Sequence, residues 1–269
     1  MTPLPTSGAG PSASGGGPPP FVPSDLSGLT LYLDANDLAT LWQTNDTSTP
    51  VTTTGQDVGR WLDKAAGVKV LTQATANERP TWQTGQSGAN GRGVIVTPSA
   101  AGAGSDWLGG SVAISTLYGT SQLTSFAVCR SATPNASRFI VADSVGGYFL
   151  GWNAGGTQLV ARAWNGTQGQ SEAAINASLD TTYIVCWRRD SQPHLFISLN
   201  GGAETDVASA GNLTLQTANI AIPTVQAGFK HQGWVGHFLS WSRDLSASER
   251  NQVGNWLAAL YGLTWTNQS

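Results

Sequence analysis

The stretch Gly233-Trp-Val-Gly-His-Phe-Leu-Ser-Trp-Ser-Arg-Asp-Leu-Ser-Ala-Ser-Glu-Arg250, running on to Tyr261-Gly262-Leu263, reads as one strand feeding one helix. Ser246 followed by Glu249 is a capping box: the serine oxygen accepts the N3 amide while the glutamate reaches back to the cap. Val253, Trp256, Leu257, Leu260 and Tyr261 then fall at i, i+3, i+4, i+7 and i+8, which gives the helix one apolar face. Gly262 stands where a left-handed C-terminal residue is wanted. Elsewhere no stretch combines helical periodicity with both a start and a stop signal. The expectation is a β protein closed by one amphipathic helix.

Working outward, the middle of the chain is a series of strand-length apolar runs. Leu123–Arg130, Arg138–Asp143, Gly147–Trp152, Leu159–Trp164, Thr182–Arg188 and His194–Leu199 are divided by Gly146-Gly147, Ala154-Gly-Gly156, Asn165-Gly166 and Asn200-Gly201. Asn-Gly between apolar runs is a strong hairpin signal, because both residues tolerate positive φ. Turns every eight to twelve residues, without alternating helices, predict an all-β, two-sheet antiparallel sandwich.

The ends of the chain carry a resemblance. The Trp- and Phe-rich strand, Ser242-Arg-Asp-Leu-Ser-Ala-Ser-Glu-Arg250 and Asn255-Trp-Leu-Ala-Ala-Leu-Tyr-Gly-Leu263 resemble the C-terminal signature of laminin-G-like, concanavalin A-type jelly-roll domains. Asp25-Leu-Ser-Gly-Leu-Thr-Leu-Tyr-Leu-Asp-Ala-Asn-Asp37 resembles the opening strand of the version common in bacteriophage virion proteins and bacterial surface proteins. Val58-Gly-Arg-Trp-Leu-Asp-Lys64 and Arg79-Pro80-Thr81 are similar to that version too. The resemblance spans residues 23–263. It departs at His237, where such domains often carry an acidic residue in the last strand. It implies a jelly roll that presents a lectin-like surface on a phage particle.

Composition limits the alternatives. The chain has 269 residues, enough for one large β domain, and a net charge of −3 with only 11% charged residues. That balance supplies no phosphate-binding footprint, so nucleic acid is not expected as a partner. No apolar run is long enough for a membrane span, and residues 1–20 lack the basic start and apolar core of an export signal. Cys129 and Cys186 each sit inside an apolar run and read as buried thiols, although a disulfide between adjacent strands is conceivable.

Residues 1–22 read as an extended arm, separate from the jelly-roll domain at 23–269. Sixteen of the first twenty residues are Pro, Gly, Ser or Ala. Leu4, Phe21 and Val22 are almost the only large apolar residues available to grip a partner. Such a segment cannot bury enough surface to order itself. It suits attachment to another protein of an assembly, present in multiple copies. The expected setting is the virion surface, after synthesis in the host cytoplasm.

Catalytic signals are thin. Glu204-Thr-Asp206 puts two carboxylates on one face, as glycanases of related fold do, but Ala208 stands where a third acid would follow. His194, His231 and His237 form no metal motif. Asp34-Ala-Asn-Asp37 could seed a calcium site, though turn or cap duty explains it as well. Trp152-Asn153 and Trp164-Asn165 each end a strand at a turn, where an indole could stack on a sugar ring and an amide could bind its hydroxyls. They are the candidate carbohydrate site; the competing reading makes them caps closing the sandwich. No cofactor is expected. The functional expectation is a non-enzymatic capsid decoration or head-fibre protein. The alternatives are a tail-fibre adhesin and a bacterial carbohydrate-binding module or glycanase.

Overall fold

The computed structural model describes residues 21–65, 69–97, 106–113, 117, 122–132, 138–143, 148–153, 155–164, 170–192, 194–208, 219–222, 225–226 and 229–269. In chain order the strands are β1 (Leu29–Asp34), β2 (Leu41–Trp42), β3 (Arg60–Leu62), β4 (Val70–Thr72), β5 (Thr81–Gln83) and β6 (Val94–Thr97). There follow β7 (Gly109–Ala113), β8 (Leu123–Ser131), β9 (Arg138–Asp143), β10 (Tyr148–Trp152), β11 (Gln158–Trp164) and β12 (Gln170–Asn176). The last group is β13 (Thr182–Arg189), β14 (His194–Leu199), β15 (Thr205–Ala208), β16 (Asn219–Ala221), β17 (Val225–Gln226), β18 (Phe229–Lys230) and β19 (Gly233–Trp241). Helix α1 (Ala247–Tyr261) follows directly.

Two antiparallel sheets stack face to face. One runs β15-β14-β13-β8-β19-β6-β5, with β1 also joined to β19; the other runs β12-β11-β10-β9-β16-β7-β4-β3-β2. Strands β17 and β18 pair separately. The predicted sandwich is what forms. Its organiser is β19, which pairs with β8 on one side. On the other side β6 takes its first residues and β1 its last.

Side-chain parity explains the layers. In β8, Ala127 and Cys129 face the second sheet while Phe126 and Val128 face outward, as the period of two demands. In β19 that alternation changes phase at a register shift between Val235 and His237, so Trp234, His237, Leu239 and Trp241 share the outer face. Helix α1 covers that face with Val253, Leu257, Ala258 and Tyr261. The result is three layers, sheet, sheet and helix, with a core on each side of the first sheet.

The helix forms as its residues foretell. Ser246 Oγ accepts the Glu249 amide, the Glu249 carboxylate accepts the Ser246 amide, and Gly262 is left-handed at φ 64°. Trp256 and Leu260 differ from expectation: they are half-buried at the flank, because the buried stripe runs through Arg250, Val253, Gly254, Leu257 and Tyr261. Gly254 lies on that stripe because a Cβ there would overlap the Trp265 indole, which folds back under the helix. Trp256 instead packs edge-on to Phe21 and Tyr32, with ring centroids 6.3 and 6.2 Å away.

The edge strand β12 is not legible in the sequence, whereas β15 stands where Glu204-Thr-Asp206 reads as an edge strand. Gln170-Ser-Glu-Ala-Ala-Ile-Asn176 holds a single β-branched residue, and an edge strand needs polar side chains more than strand propensity. The two cysteines are free and buried. Cys129 faces the inter-sheet core and Cys186 the helix side, so parity keeps them on opposite faces of one sheet and removes the disulfide alternative. Burial pushes the Cys129 thiol up to about 12.

Candidate functional site

The tryptophan expectation is corrected at Trp152. Its residue is 2% exposed, within the inter-sheet core, and its ring tilts against Tyr183. Residue 152 ends β10 with an inward parity, so the indole closes the sandwich and offers no face to a sugar. Asn153 is also engaged: its Oδ1 accepts the amides of Thr157 and Gln158, holding the β10–β11 turn. Trp164 pairs through its backbone with Gln170 at the far end of β11. Asn165 lies outside the described residues, as does Leu4 of the arm. Of the other arm residues, Phe21 is half-buried against the helix flank and Val22 is 44% exposed.

The paired carboxylates are held by partners. Both oxygens of Glu204 accept from Arg188, at 2.9 and 2.6 Å, and Arg188 also donates to Asp244 at 3.1 Å. Asp206 lies 3.0 Å from His194 Nδ1. The Arg188 guanidinium sits over the Phe196 ring, 3.7 Å from its centroid. This array welds β13, β14 and β15 along the sheet edge.

Asp34 and Asp37 face a cation from the chain itself. Lys64 Nζ lies 3.2 Å from Asp34 and 2.7 Å from Asp37, so an ammonium stands between the carboxylates where the tetrapeptide invited a metal ion. Among the described residues no group of three or more His, Cys, Asp or Glu could hold a metal. Asp37 also caps the turn at Leu38–Thr40 through Ala39.

Behind this pair lies His237, fully buried. Its Nδ1 is hydrogen-bonded to the Tyr261 hydroxyl at 2.7 Å. Nε2 lies 3.3 Å from Asp34 Oδ1 but off the line a good hydrogen bond needs. Burial lowers the imidazole to about 4, against an opposing pull from Asp34. Burial pushes Asp34 up, yet His237, Lys64 and the Asn36 amide together hold it below the usual aspartate range. Because His237 is neutral above about pH 4, Lys64 and Asn36 do this at neutral pH.

His231 stands apart from His237, with Nδ1 3.2 Å from Thr97 Oγ1.

A cleft of about 260 Å³ opens between the β14–β15 turn, the first turn of α1 and residues 266–269. Asn200 and Gly201 form the turn with φ of 50° and 73°, the positive values that Asn-Gly permits. A Cβ on Gly201 would overlap the Thr266 carbonyl, so glycine lets the tail lie against the turn. Thr266 donates to the Asn200 carbonyl at 2.8 Å, and Gln268 donates to Asn251 Oδ1 at 2.8 Å and to Ser198 Oγ at 3.0 Å. Sequence reasoning passed over this site because its walls lie far apart in the chain; only the leftover polar run after Leu263 hinted at it.

No family profile and no curated protein matches this sequence. In structure the chain is similar to the binding domain of Paraclostridial mosquitocidal protein 1, with TM-score 0.59 and 11% identity over 89% of this chain and 56% of that one. It is also similar to botulinum neurotoxin type C, whose cell entry depends on interaction with two ganglioside molecules (TM-score 0.51, 12% identity, 87% of this chain, 52% of that chain). Trypanosoma rangeli sialidase matches at TM-score 0.50 and 12% identity, over 87% of this chain and 33% of its own. The chain thus spans about half the length of the toxin chains. These likenesses establish the β-sandwich fold.

Proposed function

We propose that this chain is a non-enzymatic, lectin-like binding module carried on a bacteriophage particle by its N-terminal arm, as a capsid decoration or head-fibre protein. The observation that carries the binding part is the sandwich itself, shared over nearly the whole chain with toxin binding domains, one of them tied to gangliosides. Both carboxylates already have partners, Glu204 in an ion pair with Arg188 and Asp206 in a hydrogen bond with His194, which supports a binding role over glycoside hydrolysis, a reaction that needs two carboxylates free to flank one bond.

The phage setting rests on the sequence resemblance at both ends and on the composition of the arm. Extended Pro-rich chain reaches about 3.1 Å per residue, so twenty residues span on the order of 60 Å, enough to follow a groove on a repeating shell. Phe21 packs edge-on against Trp256 at the helix flank.

The test is deletion of residues 2–20 in the phage that encodes the chain. The truncated protein is expected to fold with unchanged melting temperature, to keep its glycan-array profile and to be lost from purified heads. Normal incorporation of the truncated protein overturns the arm's role. Recovery of the full chain with tails alone overturns the head placement.

A further inference from the structure

We propose that the cleft at the N-terminal end of α1 binds a single neutral sugar residue, with the Arg250 guanidinium and the Glu204 carboxylate as its hydrogen-bonding poles. This deepens the lectin-like reading above and rests on it.

Arg250 carries the argument. The residue is 6% exposed, and burying a guanidinium is costly unless its donors are engaged. Nη1 donates to the Leu245 carbonyl and Nε to Gln268 Oε1, each at 2.6 Å. Nη2 makes no hydrogen bond among the described residues, yet the residue lines the cleft. The guanidinium is therefore fixed by two bonds and keeps one nitrogen for an occupant.

The facing wall supplies the complementary group. Glu204 lies 3.8 Å from Arg250 Nε and is locked by Arg188, so it can accept further hydrogen bonds without moving. A hydroxyl accepts from a guanidinium and donates to a carboxylate, and vicinal hydroxyls can do both at once. The four nearby charges, Arg188, Arg250, Glu204 and Asp244, sum to zero. A carboxylated sugar held by Arg250 would set its negative charge beside Glu204, so the pairing favours a neutral ring.

Size points the same way. The volume of about 260 Å³ is below the roughly 300–1,000 Å³ of pockets for larger ligands, so one ring fits rather than a chain of them. The walls are tied before a ligand arrives, by the bonds from Thr266 to Asn200 and from Gln268 to Asn251 and Ser198. Such preorganisation removes part of the ordering cost of binding. No indole lies open in the cleft, since Trp265 is buried beneath Gly201. Selectivity must then come from hydroxyl geometry.

The experiment is an amide-resolved NMR titration of the full chain with methyl glycosides of glucose, galactose and mannose, with N-acetylglucosamine, and with sialic acid as the charged arm. At least one neutral sugar is expected to shift the amides of Gly201, Gly202 and residues 266–269. Ala203→Phe fills the cleft from an exposed position and should abolish those shifts without changing the melting temperature. Arg250→Lys keeps the charge but loses the fork, and should weaken them at least tenfold. No shifts with any neutral sugar, or shifts with sialic acid alone, overturn the proposal. If the full chain binds a glycan array equally well with Ala203→Phe, the lectin-like reading stands and this cleft is not its site. An array blank for both proteins refutes the reading itself.

Discussion

Acidification should act on this protein first through His237. The imidazole is held at about 4 in the folded chain, against an ordinary value of 6.5, because burial between β19 and α1 excludes the water that would solvate its charge. A group whose folded value lies below its unfolded value binds its proton more readily when unfolded. Its contribution to stability is therefore complete above pH 6.5 and is lost as the pH falls through that window to about 4. A gap of roughly two to three pH units corresponds to about 3 kcal/mol, a large share of the roughly 5–15 kcal/mol that holds a domain together. The groups around the ring are Tyr261, Asp34, Tyr32, Lys64 and Arg92, together with Trp256. The assay is urea denaturation at intervals from pH 7 to pH 4, for the wild type and for His237→Gln. The glutamine cannot take the proton, and its loss of the Tyr261 contact adds a constant offset at every pH. Wild type should therefore lose about 3 kcal/mol more than the variant across the window. Parallel curves for the two proteins would refute the reasoning.

Ser246→Ala should cost about 1 kcal/mol by chemical denaturation, through loss of the bond to the Glu249 amide. Arg243 holds the Glu249 carboxyl down at about 2, so this end of the helix should keep that contribution above pH 4.5 and lose it as the pH falls towards 2, read by helical circular dichroism. Trp152→Ala should destabilise by roughly 3–5 kcal/mol, as core truncations do; a stable variant that merely lost sugar binding would restore the stacking role. Lys64→Met removes the cation between Asp34 and Asp37 and should lower the melting temperature at pH 7, more than it does in acid strong enough to protonate Asp34, whose carboxyl is held below the usual aspartate range. Cys129 and Cys186 should resist a thiol reagent in the native protein and react only at the rate of unfolding.

Local chemistry was legible in the sequence wherever one stretch of chain contained the whole cause. The capping box, the Gly262 stop and the Asn200-Gly201 turn each need only neighbouring residues, and each stands where its signature lies. The alternating runs likewise determined a two-sheet sandwich with one covering helix, because a period of two allows a strand only one way to bury its apolar side. Tertiary structure decided what depends on distant partners. Trp152 and Trp256 are both apolar residues of a periodic run. One is sealed between the sheets and the other rests on Phe21 at the helix flank. Asp34 and Asp37 read first as turn or cap residues, with a cation site as the alternative, until Lys64, some thirty residues away, fills the space between them. The phase shift before His237 exists only as a register against β8, and it alone turns that histidine toward Tyr261. The cleft is the extreme case: a hairpin turn, a helix start and a polar tail meet there, and no sequence window holds all three. Short-range forces are written in neighbouring residues; packing is a relation among residues that only the folded chain brings together.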